Sequence, residues 1–297
     1  MVSDNCSDRG KEEYQTISKI EDSRITYVRQ ERNIGYIGNI PYVLKKSKGK
    51  FVLIVSDEDT VVLKHLAYYL KKLKDADDLA IIRSATTFQY RGLQPEVFAA
   101  GKEAVSGFML SNNYISGIIY NTEMMNQYKI FEKAEKYKDN IAYRYYVHMV
   151  FDLLISFHGK VIEDDRLLIS EGTADPHGGI TDEDKNENEK LNLLNYATYE
   201  SRLQQHAAWA EIFRDVSAGD NSLMRIMYFK LCWKTIFLIS LVKQKYISKG
   251  FDFNEICEKC HIEFIRNFKK LFDKIDYAEK ERDKLRIKAL VNKYREE

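Results

Sequence analysis

Five apolar residues, Phe51-Val52-Leu53-Ile54-Val55, run without a break into Ser56-Asp57-Glu58-Asp59. An uninterrupted, largely β-branched run of this length reads as a strand buried on both faces, and such strands belong inside a sheet flanked by helices. The surrounding sequence agrees. Glu12 to Ile20 reads as the tail of a helix, Ile25 to Arg29 as a short strand and Gly38 to Ser47 as a helix. After the acidic triple, Leu63, Leu66, Leu70 and Leu73 fall at helical spacing, and Leu79 to Arg83 reads as a further strand. This alternation predicts an α/β layer with flanking helices and a mixed, mostly parallel sheet.

Beyond it the pattern loosens. Gln89 to Ser106 is irregular, Tyr114 to Tyr120 enters a strand or turn, and Ile141 to Phe157 is a helix closed by His158-Gly159, with a short strand at Lys160 to Ile162. Pro176, Gly178, Gly179 and many acids between Thr173 and Glu189 predict a mobile acidic loop. No strand pattern survives after Lys190. The expected organisation is an α/β domain over 1–172, the loop over 173–189 and an α-helical extension over 190–297.

Composition narrows the classes. With 46 basic and 45 acidic residues among 297, the net charge is +1, and nothing argues for a nucleic-acid partner. The longest nearly apolar run, Leu231 to Val242, contains Lys234 and is short of the roughly 20 residues a membrane-spanning helix needs. Four cysteines, Cys6, Cys232, Cys257 and Cys260, without a signal-peptide pattern lead to the expectation of a reduced, cytoplasmic protein. Cys257-Glu258-Lys259-Cys260-His261 matches a haem-attachment pattern, but no export signal or distant axial ligand accompanies it, and zinc would lack a fourth ligand. Small apolar side chains on a helix suffice as an account.

The acidic triple is where chemistry is expected. Ligands of open α/β sheets collect at the carboxyl ends of strands, and carboxylates at Asp57 and Asp59 can share one hard divalent cation that also grips a diphosphate. The plainer reading is a polar strand end with solvated acids.

A wider pattern decides between them. Asp4-Asn5-Cys6-Ser7-Asp8, Arg24-Ile25-Thr26-Tyr27, Asn33-Ile34-Gly35-Tyr36-Ile37-Gly38-Asn39, Lys48-Gly49-Lys50-Phe51 and Ser56-Asp57-Glu58-Asp59 resemble, in order and spacing, the family 2 glycosyltransferases of the GT-A fold. The resemblance is firm to about residue 83, looser to about 165, and stops there. It implies that Asp4 holds the nucleotide base, that Asn5, Asn33, Gly35, Asn39 and Asp57 bind the nucleotide sugar, and that Asp57 and Asp59 hold Mn²⁺ or Mg²⁺ on the donor diphosphate. Ser116-Gly117 resembles the family's acceptor-side turn. The family pattern opens with a strand, a helix and most of a second strand ahead of its Asp-Asn pair, whereas Met1 stands just ahead of Asp4. An N-terminally truncated member is therefore expected, with a catalytically impaired sugar-nucleotide-binding or interaction module as the alternative to an active enzyme.

The resemblance also implies a general base near the start of the helix that ends in glycine. Counting back from Gly159 places that position at His148, with Asp152 one turn on to orient its ring and Asp139 as the carboxylate alternative. The implied reaction is inverting transfer from a nucleotide-diphosphate sugar to a glycan or lipid-linked acceptor in surface polysaccharide assembly. Leu223 to Gly250 carries Arg225, Lys230, Lys234, Lys243, Lys245 and Lys249 with no acid, among large apolar residues. It reads either as a peripheral contact with anionic membrane or as a core helix with solvated lysines.

Overall fold

A computed structural model of the chain describes residues 1–8, 10–87, 95–111, 114–172, 198–248, 250, 252–273 and 279–296. The chain divides into two compact units. One comprises Met1–Ala104, Asn112–Lys138 and Tyr143–Ala174, the other Val105–Ser111, Asp139–Ala142 and Asp175–Glu297. The acidic stretch 173–189 lies outside the described residues.

The first unit holds the mixed α/β layer. Its elements are β1 (Val2–Asp4), α1 (Lys11–Ser18), β2 (Tyr27–Arg29), α2 (Gly35–Lys46), β3 (Phe51–Leu53), β4 (Thr60–Val61), α3 (Leu63–Leu73), β5 (Leu79–Thr86) and β6 (Glu96–Phe98). After α4 (Lys102–Phe108), which runs into the second unit, follow β7 (Ile118–Asn121), α5 (Thr122–Gln127), α6 (Ile130–Glu135), α7 (Ile141–Ile155) and β8 (Lys160–Ser170). β1 and β2 pair in parallel as one sheet; the other runs β3-β7-β5-β8-β4, with β6 also on β8. β3, β5 and β8 point one way, and β4, β6 and β7 oppose them.

β5 is buried at all eight of its residues between β7 and β8, and β7 is buried at all four of its own. The run Phe51 to Val55, expected to be buried, is half covered in β3, and Val55 is 38% exposed, because among the described residues β3 pairs only with β7. Tyr69, Leu79, Ile82, Ile119, Leu168 and Ile169 form a core where α3 packs on the sheet.

β8 is far longer than the three residues expected, because Glu163-Asp164-Asp165-Arg166 hides its pattern. The buried Asp164 accepts from Tyr68 Oη (2.8 Å) and Arg166 N (3.0 Å) and pairs with Lys72 (3.2 Å), which offsets the cost of burying its charge. α2 begins three residues ahead of the expected Gly38. Asn5 Oδ1 accepts from Ile34 N (3.0 Å) and Asn33 Oδ1 from Gly35 N (2.8 Å), so side chains satisfy amides that a helix start leaves open.

The described part of the second unit contains α8 (Tyr199–Ser217), α9 (Asn221–Ser248), α10 (Phe253–Phe272) and α11 (Lys280–Glu296). Thr198 caps α8 by accepting from Ser201 N (3.3 Å). His206 is buried beside Tyr228 and Phe264, within reach of Thr235 Oγ1 (2.7 Å) and Tyr228 Oη (3.2 Å), and burial pushes its pKa down to about 3. The imidazole is thus neutral core. Arg225 ties α9 to α11 through Asp283 (2.8 Å). Cys232 is buried in α9; the side chains of Cys257 and Cys260, on α10, lie outside the described residues.

β1 and β2 are fastened at Asp4, which is fully buried. Its carboxylate accepts from Ser7 N (2.8 Å) and Tyr27 Oη (3.1 Å) and pairs with Arg29. Burial alone would raise its pKa, but these donors and the guanidinium outweigh burial and leave it below the usual carboxylate range. A carboxyl depressed by folding stabilises the native state above its unfolded pKa of about 3.9 and loses that contribution as the pH falls through its folded value. Asp4→Asn should therefore melt below the wild type at pH 7, with the difference closing under acid, as thermal melts across a pH series will record.

Candidate active site

The site starts where β3 ends. Ile54 continues the ladder through Ile54 N to Ile118 O and Gly117 N to Ile54 O, both 3.0 Å, and the chain then leaves the sheet. Ser56 N donates to Ser116 Oγ (2.8 Å), and Asp59 N closes a turn on Ser56 O (3.1 Å). Gly117, at φ 87°, permits this splice: a Cβ there would stand 2.6 Å from Ser84 Oγ. Ser116 and Gly117, expected on the acceptor side, thus brace the acidic loop from β7.

Each acid of Asp57-Glu58-Asp59 is met by a partner distant in sequence. Tyr14 Oη, from α1, donates to Asp57 Oδ2 (2.8 Å). Tyr114 Oη, from the segment before β7, lies 2.8 Å from Asp59 Oδ2 and 3.3 Å from Glu58 Oε1. Gly172 N, just past β8, donates to Asp59 Oδ1 (3.0 Å). A Cβ on Gly172 would lie 1.9 Å from Glu58 O, so this approach requires glycine. Burial, with Asp57 and Asp59 alongside, pushes Glu58 above the ordinary carboxyl range. Burial and the adjoining carboxylates also push both phenols up, so both remain donors.

Among the described residues no three His, Cys, Asp or Glu side chains are arranged to hold an ion. The protein's offer is Asp57, which is exposed, and Asp59, half covered. An all-oxygen set of two carboxylates suits Mg²⁺ or Mn²⁺ when phosphate oxygens and water complete the shell.

The residues expected at the nucleotide gather at the ends of β1 and α2. Asn5 Nδ2 donates to Asn33 Oδ1 (2.8 Å), beside Gly35, and Ser3 Oγ donates to Asn39 Oδ1 (2.6 Å). Asp4 is buried beneath them. Tyr14 links this group to the acidic loop, its ring 6.4 Å from that of Tyr27 while its hydroxyl holds Asp57.

The base candidates stand apart in character. α7 is broken at Tyr146 (φ −144°, ψ 55°), so the helical run that ends before Gly159 begins afresh at Val147. His148 falls in its first turn, 4% exposed; Asp152, 2% exposed, accepts from Tyr120 Oη (2.6 Å). Asp139 is exposed and groups with the second unit. Sequence reasoning missed Tyr14, Tyr114 and Gly172: their contacts bridge 43, 55 and 113 residues, and no local pattern marks them.

Residues 1–145 match the family described as Glycosyl transferase family 2. Among solved structures, S. aureus TarS 1-349 aligns at 16% identity and a TM-score of 0.41, covering 91% of this chain and 79% of that one, a likeness too slight to carry an argument. No curated protein matches significantly. The stretch that matches glycosyl transferase family 2, just under half of the chain, contains every residue expected at the nucleotide, the cation and the acceptor-side turn.

Proposed function

We propose that this glycosyltransferase moves a sugar from a nucleoside diphosphate to an acceptor hydroxyl with inversion, on a cytoplasmic surface-polysaccharide route whose acceptor is a glycan or lipid-linked. The observation that carries the reading is the pair Asp57 and Asp59, set at the carboxyl end of β3 within the family-matched stretch. These carboxylates would hold Mn²⁺ or Mg²⁺ on the donor diphosphate, where the ion offsets the charge that grows on the leaving group. Asp4, Asn5, Asn33, Gly35 and Asn39 frame the nucleotide, while Ser116 and Gly117 support the loop from the acceptor side. His148 removes the acceptor proton with Asp152 behind it; Asp139 is the alternative base.

One observation favours a second reading, a module that binds a sugar nucleotide without turnover. His148, the first choice for the base, is 4% exposed. Turnover separates the two.

For the peripheral membrane contact, the lysines of α9 count for less than their number suggests. Arg225 pairs with Asp283 and Glu279, Lys230 and Lys234 donate to the carbonyls of Gly107 and Leu110, and Lys243 is buried. What supports the contact is Trp233, Phe237 and Leu241, one turn apart on α9 and 44%, 51% and 47% exposed, in a segment without acids. No described helix is long and apolar enough to cross a membrane.

Three outcomes are expected. Across a panel of nucleotide sugars, one donor should release nucleoside diphosphate in a way that EDTA abolishes and Mn²⁺ restores, and Asp57→Asn should remove it; binding without release would select the second reading. His148→Ala should lower turnover by about 10²- to 10⁴-fold with little change in donor affinity, and normal turnover beside a dead Asp139→Ala would move the base to Asp139. Sedimentation with anionic vesicles should recover the protein in the pellet at high salt, and Trp233→Ser with Phe237→Ser should release it.

A further inference from the structure

Two phenols that no motif of the chain singles out make the most specific contacts at the acidic loop. We propose that Tyr14 and Tyr114 are positioning residues, which fix the carboxylates of Asp57 and Asp59 in a chelating arrangement before a divalent cation arrives. The inference rests on the cation site proposed above and adds what prepares it.

The physical problem is local. Asp57, Glu58 and Asp59 are consecutive acids, and side chains of like charge that are free to rotate spread apart, so a cation would have to gather them at its own expense. Here each carboxylate is oriented in advance. Asp59 has Oδ2 on Tyr114 Oη (2.8 Å) and Oδ1 on Gly172 N (3.0 Å), two donors that fix the plane of the carboxylate. Asp57 has Oδ2 on Tyr14 Oη (2.8 Å). A hydrogen bond to one lone pair of a carboxylate oxygen leaves the other available to a metal, and donors placed behind ligands in this way set both their orientation and their affinity.

The two phenols come from different parts of the chain. Tyr14 stands on α1 in the region that carries the nucleotide candidates, and Tyr114 leads into the β7 segment whose Ser116 holds Ser56 N (2.8 Å). Gly172 adds a third tether from the end of β8, where Thr60 pairs with Ser170. A structural role alone would ask of these tyrosines only that their rings pack. A positioning role asks for the hydroxyl, acting through a named aspartate.

The test is a double-mutant cycle read on cation binding, with Mn²⁺ in the presence of inorganic pyrophosphate as the probe and free Mn²⁺ followed by electron paramagnetic resonance. Tyr114→Phe should weaken Mn²⁺ binding about 10- to 100-fold while its melting temperature stays near that of the wild type. In an Asp59→Asn background the same change should have almost no further effect, because the residue through which it acts is gone. Tyr14→Phe should behave alike with Asp57→Asn as its partner, and it keeps the question open to measurement if Tyr114→Phe folds poorly. Unchanged Mn²⁺ affinity in both phenylalanine variants, or equal losses with and without the partner aspartate, would overturn the positioning role while leaving the cation site intact. A wild type that does not bind Mn²⁺ with pyrophosphate, or an Asp57→Asn, Asp59→Asn double variant that binds it as well as the wild type, would overturn the site and this inference together.

Discussion

Holding three acids in one short loop is the constraint around which the first unit is arranged. Left alone, Asp57, Glu58 and Asp59 would repel one another and drift into solvent. They are held instead by donors from three remote parts of the chain: Tyr14 on α1, Tyr114 before β7 and Gly172 after β8. Each tether closes a long loop of sequence, so the loop's geometry depends on the sheet that brings those segments together. Where β3 ends, β7 braces it, and where β8 ends, it returns alongside β4.

This dependence explains which features could be read in advance. The apolar run Phe51 to Val55 and the acids that follow are local signals, and the strand, the loop and the matched family all lie where they point. Burial was not local. β3 has one described neighbour and is half covered, while β5 has two and is fully buried, although the first run is wholly apolar and β5 contains Arg83, Ser84 and Thr86. β8 shows the converse: a charged run that reads as the end of a strand is carried through the sheet because Tyr68, Lys72 and Arg83 come from elsewhere to satisfy it.

Helix boundaries failed for the same physical reason. The early start of α2 depends on Asn5, just past β1, and the break at Tyr146 leaves no signature in an apolar stretch that reads as one helix. That break puts His148 at the start of a helical run. The basic segment of α9 was legible as composition but not as function, because charge counting cannot tell a lysine facing solvent from one that donates to a backbone carbonyl. The phenols at the acidic loop had no sequence signal at all.

The most direct measurement is a crystal structure of the protein grown with Mn²⁺ and a nucleoside diphosphate, with diffraction collected at the manganese edge. The account predicts an anomalous peak bonded to a carboxylate oxygen of Asp57 or Asp59 and to the diphosphate, with the Tyr14 and Tyr114 hydroxyls still on those carboxylates. A nucleotide bound away from the end of β3, or a manganese ion ligated without either aspartate, would contradict it.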